Sequence, residues 1–99
     1  MFQISKKSNG SGLVLFLEGR LDTVTAPQLE EEINSSLEGV SELIMDLSKL
    51  QYISSAGLRV LLSAQKAMHK QGEMIVKHPS EEVMEIFDVT GFSDILTIE

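Results

Sequence analysis

Residues 42–58 read Glu42-Leu43-Ile44-Met45-Asp46-Leu47-Ser48-Lys49-Leu50-Gln51-Tyr52-Ile53-Ser54-Ser55-Ala56-Gly57-Leu58. The apolar centre of Glu42 to Leu47 predicts a buried strand. A short polar stretch follows, then Tyr52-Ile53 and two hydroxyl residues. Leu58, Leu61, Leu62 and Met68 continue as an apolar stripe and predict a helix to about Gln71. Beyond it, Met74-Ile75-Val76 lies within Glu73 to Lys77, a second short buried strand. A strand, a helix and a strand in that order make a crossover, and a crossover joins parallel strands. This passage therefore decides for an α/β fold.

Working outward, Phe2 to Lys7 alternates apolar and polar residues and predicts a strand. Ser8-Asn9-Gly10-Ser11-Gly12 is a turn cluster, with Asn-Gly the strong hairpin signal. Leu13 to Leu17 predicts a second strand, antiparallel to the first and broken by Gly19 and Asp22. Thr25-Ala26-Pro27 predicts a helix start, with Thr25 as cap and Pro in the first turn. Ala26, Leu29, Ile33 and Leu37 form its apolar face, and Glu38-Gly39 ends it. Glu30, Glu31 and Glu32 lie mainly off that face and read as solvated. Downstream, His69 and Lys70 suit the negative end of the central helix, with Gly72 as its glycine cap. Ser80 is the expected N-cap of a last helix whose apolar face is Val83, Ile86 and Phe87, closed by Thr90-Gly91. Phe92 and Ile95 are expected to fold back onto the core, and Leu96-Thr97-Ile98 to add a final short strand. The sum is one α/β domain over residues 1–99. Its mixed sheet has an opening antiparallel hairpin, then parallel strands, and is covered by amphipathic helices.

Composition narrows the function. Eight basic residues stand against 15 acidic ones, a formal net charge of -7. Direct nucleic-acid binding draws on Lys and Arg to neutralise phosphates, so this balance argues against it. It argues equally against attraction to an anionic membrane. A basic face on a protein partner fits, and plain solubility is the other reading. Cys is absent, which excludes disulfides, thiolate metal sites and a Cys nucleophile. The apolar run Leu13 to Leu17 is far shorter than the roughly 20 residues that span a bilayer, so no membrane insertion is expected. With no export signal near Met1, a cytoplasmic location is expected.

No catalytic site assembles from the residues. Gly57 stands without a phosphate-loop Lys, and Ser54-Ser55-Ala56-Gly57 is not a nucleophile elbow. His69 and His78 lack metal-ligand spacing, so neither metal nor cofactor is expected. What stands out is the placement of Ser54 and Ser55 at a helix N-terminus, where free N–H groups and the dipole favour negative charge. Two readings stay open: one Ser caps the helix and nothing more happens, or the segment accepts a phosphate.

Asp46-Leu47-Ser48 followed by Tyr52-Ile53-Ser54-Ser55-Ala56-Gly57-Leu58 resembles the signature of STAS domains, in particular bacterial anti-sigma factor antagonists. Gly19-Arg20-Leu21-Asp22 with Thr25-Ala26 resembles the family's G-x-L-D-x-x-T-A segment. Gly72-Glu73-Met74 and Val83 to Gly91 resemble later elements, so nearly the whole chain is covered. The resemblance implies a partner-switching regulator that binds an anti-sigma factor/serine kinase when unphosphorylated. Phosphorylation ends binding, and a PP2C-type serine phosphatase restores it. The family's phosphoserine falls on Ser55, with Ser54 as the alternative acceptor. Ser54 stands where the family has Asp, and Arg59 where it often has Gly. The first change removes a negative charge beside the acceptor, and the second adds a positive one able to pair with phosphate. The implied partner-binding residues are Asp22, Ser54, Ala56, Gly57 and Arg59, with a turn role as the other reading of Asp22. A second implied function is a non-phosphorylated STAS subunit docked on the ATPase of a lipid-transport ABC complex. A nucleotide-dependent enzyme ranks last.

Overall fold

A computed structural model describes residues 2–99. Strand β1 (Phe2–Asn9) turns through Gly10 and Ser11 into β2 (Gly12–Leu21), its antiparallel partner, with Asn9 opposite Gly12. Gly10 takes φ +63°, which a tight hairpin turn demands and glycine adopts without strain. Helix α1 (Ala26–Ser36) crosses to β3 (Glu42–Ile53), and α2 (Ser55–His69) crosses to β4 (Glu73–Lys77). Helix α3 (Glu81–Thr90) and a 3₁₀ turn (Phe92–Asp94) follow. The four strands lie in the order β1-β2-β3-β4, with β2·β3 and β3·β4 parallel. This is the mixed sheet that the element order predicts.

Both crossovers step the same way across the sheet, so a right-handed path brings α1 and α2 to the same face. Leu13, Leu15 and Leu17 of β2 and Leu43, Met45 and Leu47 of β3 are buried in one core with Leu29, Leu61, Met68 and Phe87 of the helices. Full burial of such a side chain stabilises by about 1.5–3 kcal/mol relative to exposure. Alternate residues face away, and Phe16 there remains 40% exposed. Among the described residues no helix is long and apolar enough to cross a membrane.

The structure departs from the sequence reading at several points. β2 does not break at Gly19. Gly19 adopts φ +100° and the β2·β3 register shifts beside it, so the strand absorbs a bulge and runs to Leu21. β3 likewise runs unbroken through Ser48–Gln51, because Leu50 reaches the core while its polar neighbours face solvent. Helix α1 stops at Ser36, and Gly39 at φ +79° sits in the turn beyond. Helix α2 ends at His69, with Lys70 in ordinary right-handed geometry, so Gly72 is no cap. Gly72 serves close approach instead: a Cβ there would lie 1.9 Å from the Ser41 carbonyl oxygen. Ile95 is 45% exposed, and Leu96 fills the core in its place. The final strand shrinks to a single parallel bridge from Ile98 to Val76, held by Val76 N–H to Thr97 C=O and Glu99 N–H to Val76 C=O, each 2.8 Å.

Candidate functional site at the start of the central helix

β3 delivers the chain to α2 at the end of the sheet where β2 also finishes. The Ser54 N–H donates to the Leu21 carbonyl at 2.9 Å, joining the two strand ends. Ser54 is extended (φ -97°, ψ 176°), and its Oγ accepts from the Gly57 N–H at 3.3 Å. Ser54 is thus the N-cap, and its hydroxyl is committed to the helix. Ser55 is the first helical residue and is exposed. Its hydroxyl makes no hydrogen bond among the described residues.

Gly57 lies against the strand ends. A Cβ there would sit 2.8 Å from Ile53 Cγ1 and from Leu21 Cγ, so only glycine lets α2 settle this deeply. Ala56 is half-buried and Arg59 is exposed one turn along. An open groove of about 420 Å³ runs between α1 and α2 and is lined by Thr23, Pro27, Glu30, Ala56, Arg59 and Lys66 among others.

The loop from β2 to α1 forms the other wall. Asp22 Oδ1 accepts from the N–H groups of Val24 at 3.0 Å and Thr25 at 3.1 Å. The Thr25 hydroxyl accepts from the Asp22 N–H at 2.8 Å. Its single proton is shared between the Arg20 carbonyl at 2.8 Å and Asp22 Oδ1 at 3.2 Å. Thr25 therefore makes no side-chain cap on α1, contrary to the sequence reading; its hydroxyl is drawn back to the end of β2. The Thr25 backbone N–H chiefly holds the Asp22 carboxyl below its ordinary range; desolvation opposes this, while the Val24 N–H, the Thr25 hydroxyl and nearby Arg20 assist. Asp22 is a turn-forming residue here, with its carboxylate folded onto its own loop.

Ser54, Ser55, Ala56, Gly57 and Arg59 thus share the first turns of α2, and Asp22 is tied to them through the Leu21–Ser54 bond. Three features escaped the sequence reading. Thr25 locks the loop, a role that the Asp22-x-x-Thr25 spacing of a side-chain turn could have signalled. The Arg20 guanidinium stacks over the Tyr52 ring, 4.4 Å from its centroid, on paired strand positions. Val24 is 85% exposed beside the groove, and no sequence signal announces it. Among the described residues no three His, Asp or Glu side chains group as metal ligands.

Comparison with known proteins adds to this geometry. Residues 3–99 match the family model described as the STAS domain. BtrV of Bordetella bronchiseptica is 36% identical over 88 residues, 87% of this chain and 76% of that protein. The anti-sigma-B factor antagonist of Listeria monocytogenes is 32% identical over 97 residues, 95% of this chain and 84% of that one. Among solved structures, an anti-sigma factor antagonist from Mycobacterium paratuberculosis has a TM-score of 0.90, covering 99% of this chain and 85% of its own at 22% identity. The anti-sigma factor antagonist SpoIIAA in its unphosphorylated form has a TM-score of 0.82 at 22% identity, covering 100% of this chain and 88% of its own. The Bacillus protein SpoIIAA in the phosphorylated form has a TM-score of 0.74 at 20% identity, covering 100% and 91%. At such identities the structural likeness speaks to the fold.

Proposed function

The chain belongs to the STAS domain family, and from that premise we propose that it is an anti-sigma factor antagonist in a partner-switching pathway. Residues 1–99 act as one such domain, in the cytoplasm. Unphosphorylated, the chain binds an anti-sigma factor that is also a serine kinase. The kinase transfers the γ-phosphoryl group of ATP to the Ser55 hydroxyl, releasing ADP and a proton. The phosphorylated chain leaves, and a PP2C-type phosphatase hydrolyses the ester to restore serine and free phosphate. The chain performs no catalysis of its own and needs no cofactor.

One observation carries the choice of acceptor: Ser55 offers an exposed hydroxyl with no bond to lose, while that of Ser54 already caps α2. Removing the Ser54 hydroxyl from its cap costs about 1 kcal/mol, which a reaction at Ser55 avoids. The Listeria relative supports the regulatory role by its description as an anti-sigma-B factor antagonist. The two forms of SpoIIAA show that a protein of this fold exists with and without phosphate. The partner surface is the first turns of α2 with the adjoining loop and groove: Asp22 by shaping the loop, buried Gly57 by seating α2 against the strand ends, and Ser54, Ala56 and Arg59 directly.

The test is intact-mass analysis after incubation with the cognate kinase and ATP. Ser55→Ala is expected to abolish the phosphate mass shift, and Ser54→Ala only to weaken it. Loss of the shift in Ser54→Ala alone would move the site by one residue.

A further inference from the structure

Arg59 sits four residues beyond Ser55 on α2, about 6 Å along the helix axis and on the same side. Helical side chains lean toward the N-terminus of their helix. The long Arg59 side chain can therefore swing back toward the turn that carries Ser55. Both residues are exposed, so nothing packed between them blocks that path. Arg59 also lines the α1–α2 groove, across from Glu30 of α1. The ion pairs among the described residues are Lys6 with Glu32 and Lys77 with Glu99, which leaves the Arg59 guanidinium uncommitted.

We propose that Arg59 is the intramolecular receiver of the phosphate on Ser55, a positioning residue that the modification draws out of the groove and onto the head of its own helix. The inference rests on Ser55 being the acceptor. A guanidinium offers two parallel N–H groups, the fork that matches two phosphate oxygens. Arg59 thus has two settings. Before modification its charge belongs to the groove wall and faces a docking partner. After modification the phosphate claims it, so the partner meets an added anion and loses a cation together. Lys66, about two turns further along the same wall, stays in the groove in both states.

The experiment installs phosphoserine at position 55 during synthesis of the full chain, so no kinase is involved. Phosphorus-31 NMR then follows the second ionisation of the phosphate against pH in three proteins: Arg59 intact, Arg59→Lys and Arg59→Gln. A nearby cation favours the dianion, so the intact protein is expected to titrate lowest, about half a unit or more below Arg59→Gln. Arg59→Lys is expected between them, since an ammonium lacks the planar fork. Circular dichroism confirms that each variant is folded, which the exposure of Arg59 favours. Identical titrations with and without the guanidinium would overturn the inference. Because the phosphate is built in, that result is independent of whether a kinase uses Ser55. A failed kinase assay on the unmodified chain would instead sink the acceptor assignment.

Discussion

Gly57 has no room for a methyl group. Its Cβ would press on Ile53 and Leu21 at 2.8 Å, and overpacking of this kind costs about 1–3 kcal/mol. Alanine's better helix propensity returns at most about 1 kcal/mol. Gly57→Ala is therefore expected to destabilise the chain by up to about 2 kcal/mol net, read as a lower denaturation midpoint. Asp22 gives a pH signature. Its folded carboxyl is held below the ordinary value of 3.8, foremost by the Thr25 N–H. A depressed folded value means that the stabilisation is complete above the unfolded value and fades as pH falls through the folded one. Intact protein and Asp22→Asn are thus expected to differ most near neutrality and to converge in acid, checked by urea unfolding across that range. At this scale the sequence was legible where one residue has one role. Ser54 and Ser55 fall at the start of α2, where the residues predict a helix N-terminus, and Ser80 caps α3 as its spacing predicts, accepting from the Val83 N–H at 3.2 Å. It was not legible where a side chain chooses between neighbours. The Thr25 hydroxyl oxygen could accept from the first N–H groups of α1, yet it accepts from the Asp22 N–H instead.

Among the elements, α3 was easy to read because its signals agree: a Ser cap, two acids in the first turn and a left-handed Gly91 at φ +82°. β3 was hard to read because a sheet with one open face tolerates polar residues at alternate positions. A register shift then breaks the simple alternation on which strand reading relies. Gly72 shows the same limit, since cap and close approach both call for glycine. Its neighbour Ser41 ties two connections together: the Ser41 N–H donates to Ser11 C=O at 2.9 Å, and its own carbonyl accepts from the Glu73 N–H at 3.1 Å. A methyl at Gly72 would collide with that carbonyl and push β4 out of register at its first residue. Gly72→Ala is expected to cost about 3 kcal/mol or more, the upper end for overpacking. Thermal melting checks this, with an expected fall of at least roughly 12 °C for a domain of this size.

For the whole molecule, a phosphate placed on Ser55, the proposed acceptor, is expected to change binding without changing the fold. The first turn of α2 is exposed at that residue, and a helix N-terminus favours an anion by about 0.3–1 kcal/mol. Partner surfaces that fit a neutral hydroxyl must instead desolvate about -1.5 to -2 charges. A loss of about 2.8 kcal/mol there is a hundredfold weaker complex. Melting and partner titration on the same two samples check this: similar melting temperatures and an affinity drop of at least that order. A collapse in melting would point to unfolding instead. The short bridge from Ile98 to Val76 has a consequence at this same scale. It covers the outer edge of β4 around Val76, while β1 forms the opposite border of the sheet. A sheet with two open borders can recruit copies from either side without end, which is how fibrils grow. The bridge shortens one open border, and Lys6 and Lys7 on β1 place like charges along the other, where a second copy would have to pair. Residues 97–99 thus occupy part of one border of the sheet, and lysines guard the other, an arrangement that disfavours uncontrolled strand addition.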